Sequence, residues 1–183
     1  GAYGKLYGGP VARDLLAIYT TIVRAVPELI LILILYFAFT SSVNNLLLAW
    51  GYERIQISGF VAGIVVLGVV QGAYATEVLR GAILSVPPGQ IEAARAMGMP
   101  PLMLAWRVTL PQMLAAAIPG LANLWLIATK DTALLAVVGY AELTLVTRQA
   151  ASTSKAYFTF FLAAGAMYLA ISVLSTLLFG RIE

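Results

Sequence analysis

Three pairs of ionisable residues interrupt otherwise apolar runs: Arg24 with Glu28, Glu77 with Arg80, and Lys130 with Asp131. An ion inside a membrane costs about 2.5–3.5 kcal/mol on insertion scales, so each pair demands a reason. Arg24 and Glu28 are one helical turn apart and can neutralise each other. Alternatively, Glu28 faces a cavity and attracts a cation. Glu77 and Arg80 have i,i+3 spacing near the end of an apolar run, which suits a local pair or a gate contact better than direct substrate binding. Lys130 and Asp131 are neighbours and cannot share one face of a helix. Asp131 with Thr132 marks a helix break beside a pathway, since exposed backbone at membrane depth is tolerable only there; an ion pair to another subunit is the alternative. The chain has no cysteine and no histidine. Thiol catalysis, disulfides, His-ligated metal and His general-base chemistry are therefore excluded from it. The carboxylates are not clustered as metal ligands, and no nucleophile–base pair is visible. The chemistry these residues offer is ion binding and gating.

Such residues must be positioned by membrane helices. Of 183 residues, 61% are hydrophobic and 10% charged, the composition of an all-α polytopic membrane protein. The 11 basic residues are scattered and form no basic patch, which argues against nucleic acid as a partner. A span needs about 20 apolar residues. Four runs qualify: about 15–39, 60–79, 113–138 and 157–179. The stretch "SSVNNLLLAWGYERIQIS" reads as a loop with a short interfacial helix bearing Trp50 and Tyr52. Lys5, Arg13, Arg80, Arg95, Arg107 and Arg181 fall on one side of this arrangement, and Arg54, Arg148 and Lys155 on the other. The excess of positive charge puts both termini and the 80–111 loop in the cytoplasm. Asn123 is expected to hydrogen-bond between helices. Glu142 and Arg148 face the opposite side, in a solvated loop or where a binding protein docks.

The 80–111 loop is the polar exception in the chain. Pro87, Pro88 and Gly89 end the preceding span, and residues 90–97 make about two helical turns. Gly98 suits the left-handed position after a helix, and Pro100 and Pro101 prevent continuation. A second segment, 102–110, leads to Pro111. Ala93, Ala94 and Ala96 would let another protein's backbone approach closely, and Glu92 could make a charge-assisted bond to it. The plainer alternative is a solvated connector with a Glu92–Arg95 pair.

The letters themselves carry a resemblance. Glu92-Ala93-Ala94, then Gly98, Val108 and Leu110-Pro111, resemble the EAA loop of ABC-importer permeases, E-A-A-x3-G-x9-I-x-L-P, with Val in place of Ile. "GAYATEVLRGAILSVPPGQ" before it is similar to the corresponding run of polar amino acid permeases, and so is "LPQMLAAAIPGLANLWLIATKDTALLAVVG" after it. "IVRAVPELILILILYF" resembles permeases for histidine, arginine, lysine, ornithine and opines; their acidic residue stands here as Glu28, while Ala25 replaces a Gly.

The resemblance implies a MetI-like permease fold of five spans, of which this chain would carry four as a single transmembrane domain over residues 1–183, the first span lying before Gly1. It implies a coupling helix in which Glu92, Ala93, Ala94, Arg95 and Gly98 meet a cytoplasmic ATPase dimer. ATP and Mg would be bound by that partner, because no G-x4-G-K-[ST] occurs in this chain; no cofactor or metal is expected in the chain itself. The chain would thus be a non-catalytic transport subunit in a bacterial inner membrane. A second, non-identical permease subunit and a periplasmic substrate-binding protein complete the implied set of partners. Glu28, Arg24, Asp131, Glu77 and Lys130 are the expected substrate-pathway residues. A permease for another polar amino acid, or an ion-coupled secondary carrier, is the alternative function.

Overall fold

The computed structural model describes residues 1–181; the terminus expected in the cytoplasm at Glu183 lies outside the described residues. Its helices are α1 (Ala2–Tyr7), α2 (Pro10–Ala25), α3 (Glu28–Ala49), α4 (Gly59–Leu84), α5 (Pro88–Ala96), α6 (Pro101–Leu104), α7 (Leu110–Asp131), α8 (Leu143–Ser154) and α9 (Tyr157–Phe179). A π-helical turn, Ala105–Thr109, joins α6 to α7, and a 3-10 segment, Thr132–Val138, follows α7. Among the described residues there is no strand.

Four helical stretches are long and apolar enough to cross a membrane: Glu28–Ala49, Gly59–Leu84, Pro101–Val138 and Tyr157–Phe179. The first corrects the span expected at 15–39. Pro27 has no N–H to donate and disfavours a helical residue before it. Val26 accordingly takes φ −87 and ψ 137, and the helix stops there. α3 then runs well past Phe39, through the segment expected to be a loop. Its polar side chains do not break it, because they return to the helix's own backbone: Thr40 Oγ1 donates to the Tyr36 carbonyl at 2.8 Å and Asn44 Nδ2 to the Thr40 carbonyl at 3.0 Å. The turn that ends α3 is a paired one, with Tyr52 N–H on the Leu47 carbonyl and Gly51 N–H on the Leu48 carbonyl. Trp50 and Tyr52 are exposed at that end, without a helix of their own. The third span also starts earlier than expected, because α6, the π turn and α7 run together from Pro101.

α4 is the central element, packed against α1, α2, α3, α7 and the 3-10 segment. Its buried positions Ala62, Gly63, Val66, Val70, Ala73 and Thr76 recur at three- and four-residue intervals, one continuous face. Most are small, which lets helix backbones approach without a hydrophobic drive from lipid. The α7 contact shows how closely: a Cβ on Gly120 would sit 2.6 Å from Val78 Cγ1. Val23 of α2 and Leu31 of α3 join Val70 and Ala73 in one cluster, and Ile32, Val66 and Leu135 form another. α2 and α3 therefore line up along α4 on either side of the Pro27 break. α9 buries only Ala164 and leaves the rest of its apolar surface outward, as a lipid-facing span does.

Candidate functional site

The Pro27 break decides where Glu28 goes. It makes Glu28 the first residue of α3, where the helix dipole favours a carboxylate. From there Glu28 lies near enough to Tyr74 on α4 and to Asp131 at the end of α7 to act on both electrostatically, although no hydrogen bond joins it to either among the described residues. Asp131 is buried, with 7% of its surface exposed, and Gln71 Nε2 donates to its Oδ2 at 3.0 Å. Four side chains from three helices thus converge: Glu28, Gln71, Tyr74 and Asp131. Two carboxylates at such a place repel each other unless a proton or another cation is shared between them. Neither Gln71 nor Tyr74 was marked by the sequence, although their i,i+3 spacing on one apolar helix was a usable signal.

The other expected pathway residues are distributed around this cluster. Arg24 is exposed at the end of α2, near enough to influence Tyr74. Among the described ion pairs none joins it to Glu28. The helical face that would have paired them does not exist, because the backbone turns between them at Val26 and Pro27. Lys130 is exposed while Asp131 is buried, so the two diverge as adjacent helix positions must. α7 gives way to the tighter 3-10 winding directly after Asp131, at the break expected there, with Thr132 Oγ1 donating to the Thr129 carbonyl.

Glu77 lies about 9 Å further along α4 than Gln71, at 1.5 Å rise per residue. It pairs with Arg80 Nε at 3.0 Å and with Lys5 Nζ at 2.5 Å. Lys5 Nζ also donates to Thr20 Oγ1 at 2.8 Å. One ammonium therefore ties α1 to both α2 and α4. Sequence reasoning used Lys5 only to count charge; a lone cation among Gly and Tyr residues carries no local sign of a partner so far along the chain.

The polar loop has the predicted turn chemistry. Gly98 has φ +76, and its N–H bonds to the Arg95 carbonyl while Met99 N–H bonds to the Ala94 carbonyl. This double closure satisfies the carbonyls at the end of α5. Glu92 and Ala93 are exposed, but Ala94 is packed inward against the chain itself. Arg95 makes no ion pair with Glu92 among the described residues. It lines a cavity of about 530 Å³ with Tyr3, Tyr7, Ile83, Leu104 and Met113. Gln112 donates to the Val108 carbonyl at 3.1 Å and to Gln90, fastening the start of α7 to α5.

Two further expectations are corrected. Asn123 is exposed and makes no hydrogen bond among the described residues. Glu142 is neither free nor a solvated loop residue. It caps α8, accepting the Thr144 and Leu145 N–H groups at 2.8 Å each, and the Tyr168 hydroxyl donates to it at 3.1 Å. Its carboxylate is occupied in joining α8 to α9. Among the described residues no group of three or more acidic side chains is placed to hold a metal ion.

Comparison with known proteins places this geometry. The family model described as "Binding-protein-dependent transport system inner membrane component" matches residues 1–183. The nopaline transport system permease protein NocQ of Agrobacterium fabrum is 43% identical over 163 residues, covering 86% of this chain and 68% of the relative. The histidine/lysine/arginine/ornithine transport system permease protein HisQ of Escherichia coli is 36% identical over 175 residues, 96% of this chain and 77% of the relative. A chain in the crystal structure of an amino acid ABC transporter with histidines superposes with a TM-score of 0.82 at 28% identity, covering 100% of this chain and 80% of that one. With the whole sequence matched, four helical stretches long and apolar enough to cross a membrane and an EAA-type loop turned at Gly98, the chain belongs to the inner membrane components of binding-protein-dependent transport systems, the permease subunits of ABC transporters.

Proposed function

We propose that this permease moves basic amino acids or opines inward across a bacterial cytoplasmic membrane by alternating access, with Glu28 and Asp131 receiving the substrate's cationic group. The observation that carries this is the convergence of two carboxylates from α3 and α7 on the Gln71–Tyr74 face of α4. A guanidinium or ammonium between them would replace their repulsion by charge-assisted hydrogen bonds. The relatives named for nopaline and for histidine, lysine, arginine and ornithine support that substrate class.

Energy would come from a cytoplasmic ATPase dimer that binds ATP and Mg and docks on the exposed Glu92–Ala93 face of α5. A periplasmic binding protein would deliver substrate, and a second, non-identical permease subunit would complete the pathway. The Lys5–Glu77–Arg80 network, one level nearer the loop than the substrate cluster, would serve as the gate contact, a role its ion pairs support.

Uptake of labelled L-arginine by proteoliposomes holding the full transporter tests the proposal. Glu28→Gln and Asp131→Asn should each lower uptake at least tenfold at unchanged subunit composition. Wild-type uptake by either variant, or uptake without the ATPase, would overturn the reading.

A further inference from the structure

Gln71 has an amide whose two ends meet different fates. Its Nε2 donates to Asp131 Oδ2. An ionised carboxylate only accepts, which agrees with the amide pointing its nitrogen at Asp131. The carbonyl Oε1 is shielded from solvent and has no donor among the described residues. A buried acceptor without a donor is costly, and native structures rarely tolerate one without a use. Its surroundings do not supply the donor. Glu28 and Asp131 offer acceptors, the Tyr74 hydroxyl makes no hydrogen bond to it, and Arg24 is exposed. The cluster is rich in acceptors and short of N–H groups.

We propose that Gln71 is a specificity-determining residue: its amide nitrogen holds Asp131 in place while its carbonyl accepts from the substrate, so that the site favours a guanidinium over an ammonium. The inference rests on reading the Glu28–Asp131 cluster as the substrate site. The argument is a count of donors. A guanidinium presents five N–H groups in a flat fork, enough to meet two carboxylates edge-on and still serve one carbonyl. An ammonium has three, so it serves the carbonyl only by giving up one of its bonds to the carboxylates. The guanidinium is also the more weakly hydrated cation and gives up less water on entering a buried site.

The test compares uptake of L-arginine and L-lysine by proteoliposomes containing the full transporter, with one binding protein throughout so that its own selectivity cancels. Gln71→Met keeps the side-chain length and removes both amide functions. It should raise KM for arginine about tenfold relative to lysine, the worth of one charge-assisted hydrogen bond, with kcat little changed. Gln71→Glu should restore the preference to within about threefold, because two adjacent carboxyls share a proton and leave one carbonyl free to accept. Gln71→Ser carries the same expectation as Gln71→Met and replaces it if that variant does not reach the membrane. An unchanged arginine-to-lysine ratio, or equal losses for both solutes, would overturn the assignment of Gln71. Glu28→Gln, measured alongside, separates the two failures. If it abolishes uptake while Gln71→Met leaves the ratio unchanged, only the Gln71 role is wrong; if Glu28→Gln transports normally, the site itself is wrong.

Discussion

Lys5 Nζ stands 2.5 Å from Glu77 Oε1, which joins the first short helix to the central helix α4, 72 residues further along the chain. Both side chains are largely buried, at 14% and 15% exposure. Removing Glu77 strands the Lys5 ammonium in a place that water reaches poorly, and removing Lys5 leaves Glu77 with Arg80 alone. Lys5→Met should lower stability by about 2 kcal/mol, the usual worth of a hydrogen bond to a charged group. Thermal unfolding of the solubilised complex measures it. Glu77→Gln should cost a similar amount, and the double variant less than the sum. Strict additivity would mean that the two residues do not hold α1 and α4 together.

Gly98→Val tests the loop without a steric clash. Nothing lies within 4 Å of a Cβ at this position, but its φ of +76 is strained for any residue with a side chain. The local cost is about 1–2 kcal/mol, concentrated at the end of α5. Membrane insertion should survive, while co-purification of the ATPase and transport both fall. Gly98→Asn, better tolerated in this conformation, should fall between Val and wild type. Normal ATPase recovery with Val would remove the coupling role from this turn.

Orientation is checked by accessibility of single cysteines in a chain that naturally has none. A cysteine within 85–90 should react only from the cytoplasmic side. One within 53–56, beyond the end of α3, should react only from outside. Labelling of 85–90 from outside would reverse the topology and with it the proposed ATPase contact.

Much of the chain was legible because the governing physics is local. Gly98 between an alanine helix and two prolines dictates a left-handed turn wherever the loop sits, and its φ of +76 agrees. The apolar runs at 60–79 and 157–179 lie within α4 and α9, since a bilayer leaves an apolar segment of that length little alternative. The EAA spacing identified the family for the same reason: it is a pattern within one short segment.

The first span shows where local reading stops. Apolar residues continue on both sides of Pro27, so hydropathy sees one run where the backbone makes two helices. Proline at the break was visible, but whether it would kink a span or end one depends on what packs beside it. Here Val23 and Leu31, one from each helix, close together over Val70 and Ala73 of α4. The polar residues after Phe39 misled in the opposite direction, because Thr40 and Asn44 satisfy themselves on α3 rather than opening a loop.

Tertiary structure alone decided the site. The sequence marked Glu28 and Asp131 as costly ions and placed them in different spans, yet nothing in either segment says that they meet. It offered Arg24, the nearest opposite charge in the chain, as one of two fates for Glu28, while the fold leaves Arg24 exposed. Lys5 carried no cost that a composition or a period could register, and Gln71 and Tyr74 carried only their shared spacing on one apolar helix. Ionisable side chains in a membrane announce themselves by their free energy of transfer, which is a property of one residue. Their partners are set by which helix faces approach closely, and that depends on small residues such as Ala73 and Gly120 acting across α2, α3, α4 and α7 at once.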